Sequence, residues 1–401
     1  MICRHCGAPL SLELADLGAA PPSNAFNDTQ DAVETHYPLR VLVCEECWLA
    51  QTDLDKFTLD YDELFTKKYP YFSSTSASWV KHAEELVNMM TKQLRLGQES
   101  LTVEIGSNDG YLLQFVKTPC YGVEPTETSE MAIAKGIPTY INFFSNNFAY
   151  EMVGRRGKAD WIVCNNVLAH VPDINDFVRG IKTLLKPAGV ATFEFPWLLN
   201  LVEKNQWDTL YHEHYSYLSM ISIVRILSAA NLQICSVEQM PTHGGSIRLC
   251  VKHYNGLQTG WTGYSKAINM ELDAGMHTAD FYSGFQERIN KSKNDLNAFL
   301  IQAKREGKTV AGFGAAAKGN TMLNYCGVRP DLLPYVVDDT PYKQGKYMPG
   351  SRIPVVAEFQ DHPDYVLILP WNFKSEIMEK LAYMREWGCK FVTAIPELEV
   401  V

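Results

Sequence analysis

Leu101-Thr102-Val103-Glu104-Ile105-Gly106-Ser107-Asn108-Asp109-Gly110 is a short apolar strand that runs directly into a glycine-rich turn. Glycines at such a turn let the backbone approach a ligand closely, and a helix beginning there would face it. Tyr111 to Val116 reads as that helix. Tyr121-Gly122-Val123-Glu124 reads as the next strand, Trp161 to Cys164 as a third, and Val190 to Phe195 as a fourth. Before the fourth, Ile174 to Leu185 is amphipathic and stops at Lys186-Pro187. Strands alternating with helices predict a doubly wound parallel sheet.

Working outward, Ser78 to Leu96 carries Trp79, Ala83, Leu86, Val87 and Met90 on one helical stripe. Gly244-Gly245 and a late strand from Ile247 to Lys252 close the unit. Tyr264 to Arg305 reads as helical and bridges to a second βαβ pattern. That pattern begins at Thr309-Val310-Ala311-Gly312 and continues through Leu333 to Val337, Tyr365 to Leu369 and Lys390 to Thr393. Three domains are expected, over 1–75, 76–255 and 256–401, a division that suits 401 residues.

The composition is that of an ordinary globular chain, 46% hydrophobic and 20% charged. A formal net charge of −10 argues against nucleic-acid or anionic-membrane binding, which needs a basic face. No apolar run approaches the roughly 20 residues of a membrane span. Met1-Ile2-Cys3-Arg4-His5-Cys6 has no apolar leader core, so no secretory signal is expected. Cysteines in two tight pairs, without a regular disulfide framework, point to a reducing, cytoplasmic setting.

Those pairs are Cys3-x-x-Cys6 and Cys44-x-x-Cys47. Each offers two thiolates from one turn, and together they supply the four soft ligands of tetrahedral zinc. A four-thiolate site has no open position, so the zinc is expected to be structural, stapling a segment with little apolar core of its own.

The glycine turn has two features that favour S-adenosylmethionine over a dinucleotide. Its strand ends Glu104-Ile105-Gly106, an acidic group suited to a ligand with an amino group and a sulfonium. The third strand runs into Cys164-Asn165-Asn166-Val167-Leu168-Ala169-His170-Val171-Pro172, a segment common in class I methyltransferases. The turn resembles their E-x-G-x-G-x-G motif but has Asn108 at the middle glycine. Glu104, Gly106, Asn108, Gly110 and Asn165 are the expected cofactor residues, with Glu124 placed to accept from both ribose hydroxyls.

Past Phe193-Glu194-Phe195 comes Tyr211-His212-Glu213-His214-Tyr215-Ser216-Tyr217, beyond the carboxyl end of a strand, where open α/β sheets place their sites. A neutral imidazole can remove a proton beside a carbonyl, and phenols can hold the resulting enolate oxygen. A metal site is the competing reading, since His212 and His214 would share a face on a strand. Near the end of the chain, Gly312-Phe313-Gly314-Ala315-Ala316-Ala317 fits G-x-G-x-x-A after a strand. Asp338 stands where a ribose-binding acid belongs, which alone suggests an NAD-dependent oxidoreductase. Lys318-Gly319-Asn320 instead places a cation and an amide beside a phosphate-sized loop, with Lys343, Lys346 and Arg352 further on.

These motifs occur in one order with Tyr69-Pro70-Tyr71-Phe72-Ser73-Ser74 between the cysteines and the glycine turn. So arranged, the chain resembles the zinc-containing, S-adenosylmethionine-dependent sugar C-methyltransferases over nearly its whole length. The resemblance implies a class I methyltransferase Rossmann-like domain, flanked by a small N-terminal zinc domain and a C-terminal Rossmann-like α/β domain. It implies methylation of a nucleotide-linked 4-keto-6-deoxysugar, at C-3. His214 would be the base with Glu213 beside it, and Tyr71, Tyr211 and His170 would line the sugar pocket. Gly314, Lys318, Asn320, Asp338 and Lys343 would grip the nucleotide and pyrophosphate. A monomer or small homo-oligomer is expected. O- or N-methylation on the same fold is the alternative within this chemistry.

Overall fold

The computed structural model describes residues 1–53, 65, 71–255 and 262–401. Tyr69 and Pro70 of the tyrosine-rich segment, and the first residues of the expected third domain, lie outside them.

The N-terminal unit is an antiparallel sheet of β1 (Leu12–Ala20), β2 (Tyr37–Val43) and β3 (Ala50–Thr52), with one cysteine pair ahead of β1 and the other between β2 and β3. Helix α1 (Ala77–Leu94) follows. Ser76 caps it, its hydroxyl accepting from Trp79 N, and the predicted stripe from Trp79 to Met90 is buried.

The central sheet runs through β4 (Thr102–Ile105), β5 (Cys120–Val123), α2 (Thr128–Ala134), β6 (Thr139–Tyr140), α3 (Asn146–Arg156), β7 (Ala159–Asn165), α4 (Ile174–Leu184) and β8 (Leu185–Pro196). Next come α5 (Leu198–Glu203), β9 (Ser216–Tyr217), α6 (Met220–Ala229), β10 (Leu232–Met240) and β11 (Ser246–His253). Its order is β10-β11-β8-β7-β4-β5-β6; β4 to β8 pair in parallel, and β11 pairs antiparallel to both β8 and β10. This is the class I methyltransferase arrangement. The chain leaves β4 to one side through β5 and β6, then returns to the other side at β7, so a crevice opens beyond the carboxyl ends of β4 and β7.

One predicted element is absent. Tyr111 to Val116 forms only a 3-10 turn at Leu113–Phe115. Between Gly110 and Pro119 the connection is too short for a helix that could also cross to β5. The glycine turn therefore faces its crevice without the helix terminus expected behind it.

The third unit begins with α7 (Tyr264–Asp273) and α8 (Phe285–Arg305), two helices broken by Gly275 and Gly284 where one continuous region was expected. It continues with β12 (Val310–Phe313), α9 (Ala317–Cys326), β13 (Val336–Val337), β14 (Val355–Val356), β15 (Tyr365–Ile368), α10 (Lys374–Lys380), β16 (Lys390–Thr393) and β17 (Glu399–Val400). Its sheet order is β14-β13-β12-β15-β16-β17, parallel except for β17.

The three units are not strung independently. β9, carried by the central unit, pairs antiparallel with β3 and completes the N-terminal sheet. The segment after β1 reaches the third unit, where Asn27 bridges Tyr347 and Glu34 accepts from Gly350 N at 2.7 Å. Among the described residues no helix is long and apolar enough to cross a membrane.

Candidate active site and metal centre

Each cysteine pair closes a tight turn: Gly7 N donates to Cys3 O at 3.0 Å, and Trp48 N to Cys44 O at 2.7 Å. The turns face each other. Cys3 and Cys47 Sγ lie 3.5 Å apart, as do Cys6 and Cys44, and all four sulfurs fall within 4.8 Å of one another. Four thiolates on tetrahedral zinc at about 2.3 Å would stand about 3.8 Å apart, so the cluster fits the metal. Gln51 Nε2 donates to Cys3 Sγ at 3.3 Å, orienting that ligand. Arg4, inside the first knuckle, donates to Thr52 O at 2.8 Å and also to the carbonyl of Tyr215. The metal centre is thus tied to the Tyr211–Tyr217 segment.

In the glycine turn, Gly106, Asn108 and Gly110 all have left-handed backbones, with φ of 69°, 49° and 78°. A side chain at Gly106 would meet Val167 Cγ2 at 2.5 Å. Asn108 takes the place of the motif's middle glycine because asparagine tolerates this conformation. Its side chain is also used: Oδ1 accepts from Ser73 N at 2.9 Å and Nδ2 donates to Tyr71 O at 3.0 Å. Glu124 accepts from Asn108 N and Thr126 N, each at 3.0 Å, and from the Thr126 hydroxyl at 2.6 Å. It holds its own loop as well as facing the crevice.

Glu104 lies beneath this loop, 1% exposed, and burial pushes its carboxyl well above the usual range. Neither of its oxygens, nor either polar atom of the Asn165 side chain, has a partner in hydrogen-bond geometry, although the Tyr111 phenol lies alongside both. Orphaned polar atoms of this kind, next to a crevice, fit a ligand that carries an ammonium group and hydroxyls.

A cavity of about 510 Å³ joins this crevice to the other predicted residues. Gly106, Asn108, Glu124 and Asn165 line one part of it, Tyr71, His170, Tyr211 and His214 another, and Lys318 and Lys343 a third. His214 Nδ1 faces the Thr209 carbonyl at 3.0 Å, and Nε2 faces the Tyr211 hydroxyl at 2.7 Å. A carbonyl can only accept, so Nδ1 carries the proton and Nε2 presents its lone pair. Burial, then the neighbouring His170, Lys318 and His243, hold His214 well below its ordinary pKa. His170 packs edge-on against it at 4.7 Å and is itself lowered to about 4 by burial, with Nδ1 on the Glu213 carbonyl at 2.8 Å.

Several predicted residues stand elsewhere. The Glu213 carboxylate does not touch His214; it turns to Asn24, accepting from its backbone and side-chain nitrogens at 3.2 and 3.1 Å. His212 points away from His214 to the Tyr37 carbonyl, 3.2 Å from Nε2, so the two do not share a face as metal ligands would. Asn320 is fully buried and reaches Ser23 O at 3.4 Å. Asp338 accepts from Ala315 N of the glycine-rich loop at 2.7 Å and from Thr340 N of its own turn at 2.8 Å, with Lys343 alongside at 3.4 Å. Unlike Glu124, Asp338 is not among the residues that line the cavity. Gly314 packs under Pro370. Lys346 and Arg352 turn to Asp28 and Glu34 of the N-terminal segment.

Lys318 does face the cavity. Its ammonium donates to Asn372 Oδ1 at 2.8 Å and lies 4.8 Å from the Trp371 ring centroid. Burial lowers its pKa, opposed by the charge of Asp208. The cavity is completed by Asn24, Trp79, His243 and Asn372, none of which was singled out as a site residue. In the sequence Trp79 is marked only by its place on the helical stripe, and His243 only by the two glycines after it.

Residues 3–65 match the family model of a zinc binding domain, 81–237 that of a methyltransferase domain, and 241–396 that of the C-methyltransferase C-terminal domain. The chain is 32% identical to C-methyltransferase NovU of Streptomyces niveus over 408 residues, covering 100% of this chain and 96% of that one. Among solved structures it resembles an S-adenosylmethionine-dependent methyltransferase of Clostridium acetobutylicum ATCC 824, with 12% identity, 44% and 92% of the two chains covered and a TM-score of 0.36. It also resembles the magnesium protoporphyrin IX methyltransferase of Synechocystis PCC 6803, with 17% identity, 43% and 83% coverage and a TM-score of 0.35.

Metal analysis of the purified chain should give one zinc per molecule. Cys44→Ser should lose it and lower both Tm and turnover, because the knuckles hold the Tyr211–Tyr217 segment; zinc-free protein with unchanged Tm would refute this. Glu124→Gln should weaken S-adenosylmethionine binding by about 2 kcal/mol, roughly thirtyfold in Kd by calorimetry. Burial disfavours the ionised form of Glu104, and a bound ammonium beside it should favour that form. Cofactor binding should then release a proton and tighten as pH rises, measurable as a dependence of the binding enthalpy on buffer ionisation.

Proposed function

The chain belongs to the S-adenosylmethionine-dependent C-methyltransferases, and we propose that its acceptor is a nucleotide-linked 4-keto-6-deoxysugar methylated at C-3, with His214 as the base. The observation that carries this reading is the His214 imidazole. Its Nδ1 proton is committed to Thr209 O, and its Nε2 accepts from the Tyr211 hydroxyl at 2.7 Å, both rings lining a cavity shared with the cofactor loop and with Lys318.

S-adenosylmethionine, when bound, supplies an electrophilic methyl group. The protein's task is to make the acceptor carbon nucleophilic. A proton beside a ketone leaves to His214 Nε2, and the electron pair delocalises onto the ketone oxygen. The Thr209 carbonyl, in place of the expected Glu213, orients the ring and stabilises the imidazolium that forms. Tyr211, already on Nε2, is placed to pass the proton or to donate to the enolate oxygen, and Tyr71 stands at the same cavity. At the far end the uncapped start of α9, with Lys318 and Lys343, supports an anionic group such as a pyrophosphate.

Because burial lowers the pKa of His214, Nε2 stays unprotonated through neutral pH. The acid limb of kcat/KM should therefore lie below pH 6.5, the ordinary histidine value. His214→Asn should lose about 100- to 10,000-fold in turnover while both ligands still bind. The check is mass spectrometry of a sugar-nucleotide panel with S-adenosylmethionine, together with exchange of the ketosugar's α-hydrogen in deuterated water. Normal exchange and methylation by His214→Asn would remove it from this role. Lys318→Ala should raise the sugar-nucleotide KM far more than it changes cofactor affinity.

A further inference from the structure

Thr242-His243-Gly244-Gly245 joins β10 to β11 and has three successive left-handed residues, with φ of 55°, 90° and 121° at His243, Gly244 and Gly245. Two of these are glycines. His243 is not, and a non-glycine residue held in this region marks a conformation imposed by its surroundings. A side chain at Gly244 would meet Trp371 Cη2 at 2.5 Å, so the turn is packed against the third unit.

Its surroundings are built. The His243 ring stands edge-on to Trp79, with centroids 4.9 Å apart, and the Asn166 amide nitrogen lies 3.0 Å from its Nε2 and 3.3 Å from its Nδ1. The amide N–H donates to one ring nitrogen, which leaves the proton of the neutral ring on the other. Asn166 is itself left-handed, with φ of 54°. Behind this wall sits Glu194, 0% exposed. Its carboxylate accepts from Thr242, the residue before His243, at 2.8 Å, and from Arg248 Nη2 at 2.8 Å. It also contacts His82 Nε2 at 2.8 Å, and the His82 ring stacks on Trp79 with centroids 5.0 Å apart. One buried carboxylate thus holds both the turn that carries His243 and the indole that flanks it. A burial this costly, with every partner supplied, fixes a geometry.

We propose that His243 is a second acceptor-contacting residue, its neutral imidazole donating a hydrogen bond to the ketone oxygen as charge develops there, with Glu194, Thr242 and His82 as its positioning residues. This rests on the ketosugar reading above. His243 lines the same cavity as His214 and Lys318. Burial and the nearby Lys318 lower its pKa to about 4, so it is a neutral hydrogen-bonding group over the working range. A neutral imidazole donates without the acidity that would fully protonate the enolate.

The test is His243→Asn, because asparagine also accepts a left-handed backbone and so separates the ring from the turn. Tm and calorimetric S-adenosylmethionine affinity should stay at wild-type values. kcat for methylation and α-hydrogen exchange without cofactor should fall together, on the order of 100-fold. Thr242→Val, which removes a donor to Glu194, should lower kcat in the same direction by less. Wild-type turnover and exchange in His243→Asn would overturn the inference. Loss of Tm or cofactor affinity with normal turnover of the loaded enzyme would assign the ring to packing and overturn it equally. The two readings fail separately: absence of carbon methylation by the wild-type enzyme overturns the ketosugar reading and this one with it. Wild-type methylation matched by His243→Asn overturns this one alone.

Discussion

The pairing of β3 with β9 is the contact on which the rest of the site depends. It aligns Ala50 with Tyr217 and Gln51 with Ser216, and extends through Thr52 N to the Tyr215 carbonyl at 3.1 Å. The stretch from Trp207 to Leu218 contains little regular structure of its own, and its backbone polar groups must find partners elsewhere. The N-terminal sheet supplies them. The cysteine turns set the ends of β2 and β3, β3 sets β9, and β9 sets the direction in which His214 leaves the chain. The four-cysteine cluster thereby shapes the placement of His214.

Burial shapes the site's electrostatics. His170, His214 and His243 are all pushed down by desolvation, while Glu104 is pushed up. Imidazoles uncharged and carboxyls reluctant to ionise are what a water-poor cavity imposes on groups without counter-charges. Glu194 is the exception, held below its ordinary value against its burial by His82, Arg248 and Thr242. The same low polarity strengthens each hydrogen bond the cavity offers. The site can therefore rely on a few neutral donors and acceptors.

The third unit closes on the central one through Trp371. Its ring lies on Gly244, its indole N–H donates to Asp208 at 2.7 Å, and the Lys318 ammonium stands over it. Asp208, fully buried and pushed up to about 6, is the nearby carboxylate that opposes the lowering of Lys318. This one indole sets how far the cationic end of the cavity lies from His214. The N-terminal segment adds a second tie, with Asn24 on Glu213 and Ser23 against α9.

The sequence by itself determined what is local. Spacing placed the buried stripe of α1, the order of strands and helices in both βαβ units and the cysteine pairs, because period and turn chemistry act over a few residues. It also marked the glycine turn, where Asn108 could replace glycine for reasons of backbone conformation alone. The short link after Gly110 was misread because an apolar run of that length serves a helix or a turn equally well. Only the tertiary structure decided that Tyr211–Tyr217 completes a sheet begun in another unit, and that Thr209, in place of Glu213, meets the His214 ring. It also decided that Asp338 meets Ala315 N of the glycine-rich loop outside the cavity, and that His243 and Asn24 reach the cavity. Each depends on partners far along the chain, and whether a polar group faces a ligand or a neighbour is set by which of those partners the fold brings within hydrogen-bond reach.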